Sequence, residues 1–371
     1  MSWTQKNLGE IVNLKRGFDL PSSSRVDGPY PVFSSSGQTG THSEAAVKGP
    51  CVITGRYGTI GQVFYSDAAC WPLNTSLYST EFKGNNPRFV YYLLKTLPWR
   101  DYLTASAVPG INRNHVHLCP VCVPDYETQT AISGVLGLLD NKIELNTKLN
   151  GYLEELAALE FSRRFGEIES SIDLGKVLSI STKTLKPQNC HGEIWEHYSI
   201  PAYDTNRRPV FELADGIKSN KYVIDANCIL ISKLNPSIKR IWMPACSSKQ
   251  AVCSTEFIVY KPKNPVHKAF YYAAIGAPAF NDFLLAHVTG STGSRQRTQP
   301  KATLTYPMPS PGLEAVEDFC AFANPLYEQI KVNERNSTQL EELRDALLPK
   351  LMSGEIDVSE IDLTQLNSHL A

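Results

Sequence analysis

Ile143-Glu144-Leu145-Asn146, running on to Leu153-Glu154-Glu155-Leu156, is answered 187 residues later by Ile330-Lys331-Val332-Asn333, running on to Leu340-Glu341-Glu342-Leu343. Around the first copy, Ile132, Leu136, Leu139, Ile143, Asn146, Asn150, Leu153 and Ala157 recur by four and three residues. Around the second, Phe319, Ala323, Leu326, Ile330, Asn333, Ser337 and Leu340 do the same. That spacing is the seam of a coiled coil. Asn146 and Asn333 hold matching seam positions. A seam asparagine lowers stability but fixes register and partner; an ordinary helix with a polar interruption is the competing reading. One such helix cannot bury its own stripe, and this chain contains two. Ile143, Asn146 and Leu153 are therefore expected to pair with Ile330, Asn333 and Leu340. The first helix runs from about Thr128 to about Phe165, roughly 55 Å at 1.5 Å per residue. It leaves one globular segment and runs into another, so the second helix must return along it. The pair is expected to be antiparallel, with a globule at each end.

The globular segments repeat as well. Each opens on Leu-Gly before a strand, at Leu8-Gly9 and Leu174-Gly175. Each has a cysteine-led apolar strand, Cys51-Val52-Ile53 and Cys228-Ile229-Leu230-Ile231. Each has Ser-Thr-Glu-Phe, at 79–82 and 254–257, followed by a Tyr pair near a helix, Tyr91-Tyr92 and Tyr271-Tyr272. Inside the globules the offset drifts between 166 and 180, which places insertions there. An ordered series of matches marks an internal duplication. The expected class is α+β: two mixed α/β domains in pseudo-two-fold repeat, separated by two long antiparallel coiled-coil helices. The boundaries expected are 1–127 and 169–312 for the domains, 128–168 and 313–356 for the helices, and 357–371 for a tail.

Composition limits the function. The chain has 371 residues, 42% hydrophobic and 20% charged, enough apolar material for two packed cores. No apolar run reaches the ~18 residues of a membrane span, and the N-terminus lacks the apolar core of a signal peptide. Nine scattered cysteines suit a reducing compartment. A cytoplasmic protein with no membrane partner is expected. The net charge of −1 conceals a segregation. Residues 170–312 carry 17 Lys+Arg against 9 Asp+Glu, a net +8, while residues 313–371 carry 4 against 12, a net −8. The first 127 residues are net +2 and the stretch 128–169 net −3. Basic globules beside acidic helices suggest a polyanion for the former and a protein for the latter.

The loops carry the cations. Gly55-Arg56-Tyr57-Gly58-Thr59-Ile60-Gly61 lies between two strand-like segments, Cys51–Thr54 and Gln62–Tyr65. A dinucleotide fold would need a helix after the glycines; the alternation of Val63 and Tyr65 argues for a strand and a hairpin tip. Arg56, Tyr57 and Thr59 on a glycine-rich tip suit close approach to a nucleic acid. At the equivalent place stands Lys233-Leu234-Asn235-Pro236-Ser237-Ile238-Lys239-Arg240, with Lys233, Lys239 and Arg240. A further recurrence is Gly110-Ile111-Asn112-Arg113-Asn114-His115 against Gly293-Ser294-Arg295-Gln296-Arg297. Arg, Asn and Gln are the side chains that pair bidentately with base edges, so Asn112, Arg113, Arg295, Gln296 and Arg297 join the candidates. His115-Val116-His117-Leu118-Cys119-Pro120-Val121-Cys122 invites a zinc reading. A lone Cys-x-x-Cys is weak, however, and the second half has no ligand at the equivalent place. It is read as a structural strand with His115, His117 and Cys119 on one face, and no metal is expected. No Gly-x-Ser-x-Gly, phosphate loop or His-Glu-x-x-His occurs, so no catalytic residue is assigned and the chain is not expected to be an enzyme.

Two globules, each followed by a long helix, resemble the specificity subunit of type I restriction–modification enzymes. The most specific match is Leu343-Arg344-Asp345-Ala346-Leu347-Leu348-Pro349-Lys350-Leu351-Met352-Ser353-Gly354-Glu355-Ile356, which looks like that family's closing motif. The resemblance covers residues 1 to about 356. It implies that each globule is a target-recognition domain reading one half of a bipartite sequence in double-stranded DNA. It implies that the helices dock two modification subunits, which bind S-adenosylmethionine and methylate adenine. A restriction/translocase subunit would cut DNA using ATP and Mg; none of these cofactors would belong to this chain. An orphan DNA-binding or scaffolding protein of the same fold, without an active methyltransferase, is the alternative.

Overall fold

The computed structural model describes residues 3–104, 109–168, 171–289 and 296–361. They divide into two compact units, one made of 1–144 with 337–371, the other of 145–336. The division does not follow the boundaries expected from sequence. Each long helix, Tyr126–Phe165 and Leu313–Ser353, contributes one half to each unit. The reason is burial: an amphipathic helix has no core of its own, so each half belongs to the apolar surface that covers it.

In the first unit a four-stranded antiparallel sheet has the spatial order Asn13–Arg16, Ser76–Glu81, Cys51–Gly55, Val63–Ser66. Its Cys51–Gly55 strand is buried throughout, consistent with its unbroken apolar reading. A three-stranded sheet of Gly37–His42, Tyr30–Ser34 and Trp71–Pro72 lies beside it in sequence. The helix Pro87–Thr96 starts on Asn86, whose Oδ1 accepts from the backbone N–H groups of Arg88 and Phe89. Thr4–Asn7 pairs with Pro120–Val123, tying the start of the chain to the strand before the long helix.

The second unit repeats this plan. Leu178–Ser181, Phe257–Pro262, Ile229–Ser232 and Ile241–Trp242 form a four-stranded antiparallel sheet in the same order of equivalents. Ser171–Asp173 pairs with Pro307–Pro309 as Thr4–Asn7 does with Pro120–Val123. The divergence is in the accessory sheet. Here it has five strands, Thr184–Leu185, Lys221–Val223, Ala251–Ser254, Ile194–Tyr198 and Val210–Leu213. This larger sheet accounts for the drift in the repeat offset.

Each unit packs its two helix segments antiparallel. In the first, Ile132, Val135 and Leu136 share a core with Leu348, Leu351 and Met352. There the Arg344 guanidinium donates to Asp140, whose other oxygen accepts from the Tyr92 hydroxyl at 2.6 Å. In the second, Phe161, Phe165, Phe270 and Phe319 cluster at ring separations of 5.1–6.2 Å. Ala157, Ala323, Tyr327 and Ile330 extend that core. The seam positions Ile330, Asn333, Leu340 and Asn146 are buried, and Ile143 and Leu153 half-buried. Asn333 donates through Nδ2 to Asn150 Oδ1 at 2.7 Å and accepts from Gln329 at 2.8 Å, so its polar group is satisfied where it is buried.

The closing motif has a structural job. Gly354 follows the second long helix with φ +75, and a Cβ there would lie 2.7 Å from the Trp3 indole nitrogen. The glycine both ends the helix in the left-handed conformation and lets Trp3 lie against it.

The segment His115–Cys122 departs from its expected form. Arg113–Val116 is a single helical turn, and the strand begins only at Pro120. The turn is capped by Asn112, whose Oδ1 accepts from Asn114 N–H at 3.0 Å. His115, His117 and Cys119 therefore do not line one strand face. His117 Nε2 accepts the Leu14 N–H at 3.0 Å, and burial lowers the imidazole pKa, which keeps it neutral for that role. The second-half counterpart, Pro300–Thr305, is likewise helical, a 3-10 turn before Pro307–Pro309. Among the described residues no group of three or more His, Cys, Asp or Glu side chains could hold a metal. Among the described residues no helix is long and apolar enough to cross a membrane.

Candidate nucleic-acid interface

In the first unit the Gly55–Gly61 tip joins antiparallel strands and folds back on itself. A Cβ at Gly55 would sit 1.8 Å from the Thr59 carbonyl oxygen, so Thr59 closes the tip through its backbone and does not line the pocket described below. The Arg56 and Tyr57 N–H groups both donate to the Thr75 carbonyl, and the Arg56 carbonyl accepts from Ile111 N–H at 2.9 Å. Tyr57 forms a bridge with Gly110. The tip is thus fastened to the segment that carries Asn112 and Arg113. Gly110 is there for space, because a Cβ would lie 2.2 Å from the Tyr57 ring. The Arg56 guanidinium rests over that ring, 4.6 Å from its centroid.

Arg56, Tyr57, Asn112 and Arg113 come together in one open pocket of about 320 Å³. Arg16 and Asn114 line it too. Arg16 is exposed and, among the described residues, its side chain makes a long, 3.5 Å contact with Asp19. Three guanidiniums around one polar hollow suit an anionic, hydrogen-bonding ligand such as a nucleic-acid backbone or base edge. Sequence inspection did not single out Arg16. Its place beside Arg56 depends on the sheet order, which no local motif encodes. Asn112 spends its carbonyl oxygen on the helical turn and keeps its amide donors.

The second unit builds an equivalent junction. Its Lys233–Arg240 tip lies between antiparallel strands Ile229–Ser232 and Ile241–Trp242. Asn235 N–H donates to the Gln296 carbonyl, Leu234 bridges Arg297, and Thr298 N–H donates to the Lys233 carbonyl. Lys233, Gln296 and Arg297 are therefore brought together, just as the first tip meets 110–113. Arg295 lies outside the described residues. The other two candidates are committed elsewhere. Arg240 is buried at 7% exposure and forms a bidentate pair with Asp204 at 2.6 and 2.8 Å. Lys239 donates through Nζ to the Gly276 carbonyl. Alternation along the tip explains this: Arg240 abuts a buried strand, where a carboxylate partner is the condition for burying its charge. Arg297 has a carboxylate partner, Glu256, in the second copy of Ser-Thr-Glu-Phe.

A different surface lies on the first long helix. Leu145, Leu149, Tyr152, Leu156 and Leu159 are 60, 43, 68, 46 and 61% exposed. They recur by four and three residues, a second heptad stripe outside the seam. The matching positions on the second helix are Val332, Asn336, Gln339, Leu343 and Ala346, which are less apolar.

Residues 1–155 match the family described as the type I restriction modification DNA specificity domain. Over 318 residues the chain is 26% identical to the type I restriction enzyme MjaIX specificity subunit of Methanocaldococcus jannaschii, covering 74% of this chain and 70% of that one. It is also 26% identical over 199 residues to the HindI specificity subunit of Haemophilus influenzae, covering 45% and 41%. The crystal structure of the type-I restriction-modification system S subunit from M. genitalium superposes with a TM-score of 0.56 at 16% identity, covering 94% of this chain and 96% of that one. The chain is similar to type I specificity subunits in sequence and in fold, and its first 155 residues match their DNA specificity domain. The duplicated globule and the long helix after each copy are the specificity-subunit fold. Within it, the two loop junctions above occupy corresponding places in the two globules.

Proposed function

We propose that this specificity subunit is the DNA-reading component of a type I restriction–modification complex, each globule recognising one half of a bipartite double-stranded site. The observation that carries this reading is the duplicated junction. In both globules a hairpin tip is fastened by backbone hydrogen bonds to the segment before the closing strand, and both junctions present cations. A rigid loop with Arg, Lys, Asn and Gln side chains can address phosphates and base edges together. Arg16, Arg56, Tyr57, Asn112 and Arg113 would serve one half-site; Lys233, Gln296 and Arg297 the other.

The exposed heptad stripe Leu145–Leu159 would receive a helix of a modification subunit, because four-three spacing fits a helical partner. Adenine methylation with S-adenosylmethionine, and cleavage with ATP and Mg, would belong to the modification and restriction subunits. This chain would supply address and scaffold rather than catalysis.

Co-expression with a type I methyltransferase subunit from the same genome, followed by long-read mapping of methylated adenines, tests the reading. The expected result is a stable complex and a split methylation motif that disappears when this chain is deleted. A methylation pattern unchanged by the deletion would overturn it.

A further inference from the structure

We infer that Arg297, held in place by Glu256, reads the edge of a guanine in the half-site contacted by the second globule. The inference rests on the DNA-recognition reading above and assigns one base class within it.

The guanidinium is fixed at both ends. At the backbone, Arg297–Thr298 pairs with Val288–Thr289, Leu234 bridges Arg297 from the other side, and Thr298 N–H donates to the Lys233 carbonyl. At the side chain, Nε donates to Glu256 Oε2 and Nη2 to Oε1, both at 3.0 Å. Glu256 is itself held, since its carbonyl accepts from Lys233 N–H and its own N–H donates to Ser254 Oγ. The Arg297 side chain is nevertheless 44% exposed.

The pairing decides what this arginine can do. A guanidinium has five N–H donors in a planar fork. Glu256 occupies the edge formed by Nε and Nη2. The end-on edge, formed by Nη1 and Nη2, has donors left over. Two parallel N–H groups match the N7 and O6 acceptors of guanine; adenine would present an N–H₂ donor to one of them. The carboxylate also cancels the charge that would attract phosphates, so the pair as a whole releases no counterion. A neutralised, immobilised guanidinium is a poor phosphate anchor and a good reader. Arg240 makes the same bidentate contact with Asp204 but is buried, so its fork faces the protein. Arg56 has an aromatic support rather than a carboxylate and keeps its full charge for phosphates.

The test uses the complex of the full chain with its methyltransferase subunits, on duplexes carrying its mapped site. Each guanine of the second half-site is replaced in turn by 7-deazaguanine, which lacks the N7 acceptor. At one position the wild-type complex should lose about tenfold or more in affinity, the scale of a bidentate base contact. Arg297→Ala combined with Glu256→Ala, which removes the neutral pair whole, should show the same loss on the unmodified duplex and no further loss on the modified one, with an unchanged salt slope. Glu256→Gln should weaken discrimination at that position while steepening the salt dependence, because it frees a charge. A merely structural ion pair would move neither. Insensitivity to every 7-deaza replacement, or a salt slope that drops by about one when Arg297 and Glu256 are removed together, would overturn the inference and leave the recognition reading standing. A wild-type complex that binds no split site would overturn both.

Discussion

Gly110 shows how much a single missing side chain contributes to this interface. The Tyr57 ring occupies the space where a Cβ would stand, and Arg56 lies over that ring. Gly110→Ala should therefore displace Tyr57 and its arginine without touching a DNA-facing group. We expect binding through the first half-site to fall by about tenfold or more, at the ~1–3 kcal/mol scale of a base or stacking contact. Titration with duplexes scrambled in one half at a time would check it; an equal loss through the second half-site would contradict it. The cations on these loops were legible in the sequence as residue types at recurring places. Their commitments were not. Lys239 and Arg240 share the tip with Lys233, yet one caps a helix carbonyl and the other pairs internally with Asp204. Asp204 lies 36 residues away, and only the packing of Ile200–Asn206 brings it there.

A half-buried carboxylate on the second helix gives a prediction in pH. Burial is the main cause that pushes Glu334 up to about 7, with Arg207 opposing and Glu154 adding to the shift. Its folded pKa lies above the unfolded one, so the favourable contribution is present below about pH 4.3. It is lost as pH rises through about 7. Glu334→Gln should leave the thermal midpoint unchanged near pH 4 and raise stability by on the order of 2 kcal/mol above pH 7. A variant no more stable than the parent at pH 8 would contradict this.

The long helices were the elements most plainly written in the sequence, because a heptad repeat is a local signal sustained over many turns. Tyr126–Phe165 and Leu313–Ser353 fall close to their expected spans. The short segment at His115–Cys122 was not legible, since alternation over a few residues cannot tell a strand from a capped turn. The cap from Asn112 and the His117 bond to Leu14 decide it. The Asn150–Asn333 contact belongs to the same scale. Replacing both with leucine should raise stability by about 1 kcal/mol or more while loosening register. Calorimetry together with light scattering would check it; lower stability would count against their seam role. On the outer face, Leu149→Ser with Leu156→Ser should cut recovery of the modification subunit severely. Each leucine buried on docking is worth ~1.5 kcal/mol or more. Unchanged co-purification would contradict a docking role for the stripe.

At the scale of the molecule, duplication is the organising fact. Matching strand orders in the two four-stranded sheets, and matching pairs of the first and last strands, show one plan used twice. The accessory sheets, three strands against five, show where the copies were free to diverge. Divergence in that part and in the loop side chains is what a reader of two different half-sites requires, whereas the helices must stay alike to pack. The most direct test of this account is binding of the assembled complex to three duplexes: the intact mapped site, one with the first half scrambled and one with the second half scrambled. It should be made with the wild-type chain and with Arg56→Ala combined with Arg113→Ala. The account predicts that the double variant loses affinity for the intact site and for the duplex retaining only the first half. Its affinity for the duplex retaining only the second half should equal that of the wild type. An equal loss on all three duplexes would contradict the assignment of one half-site to each globule.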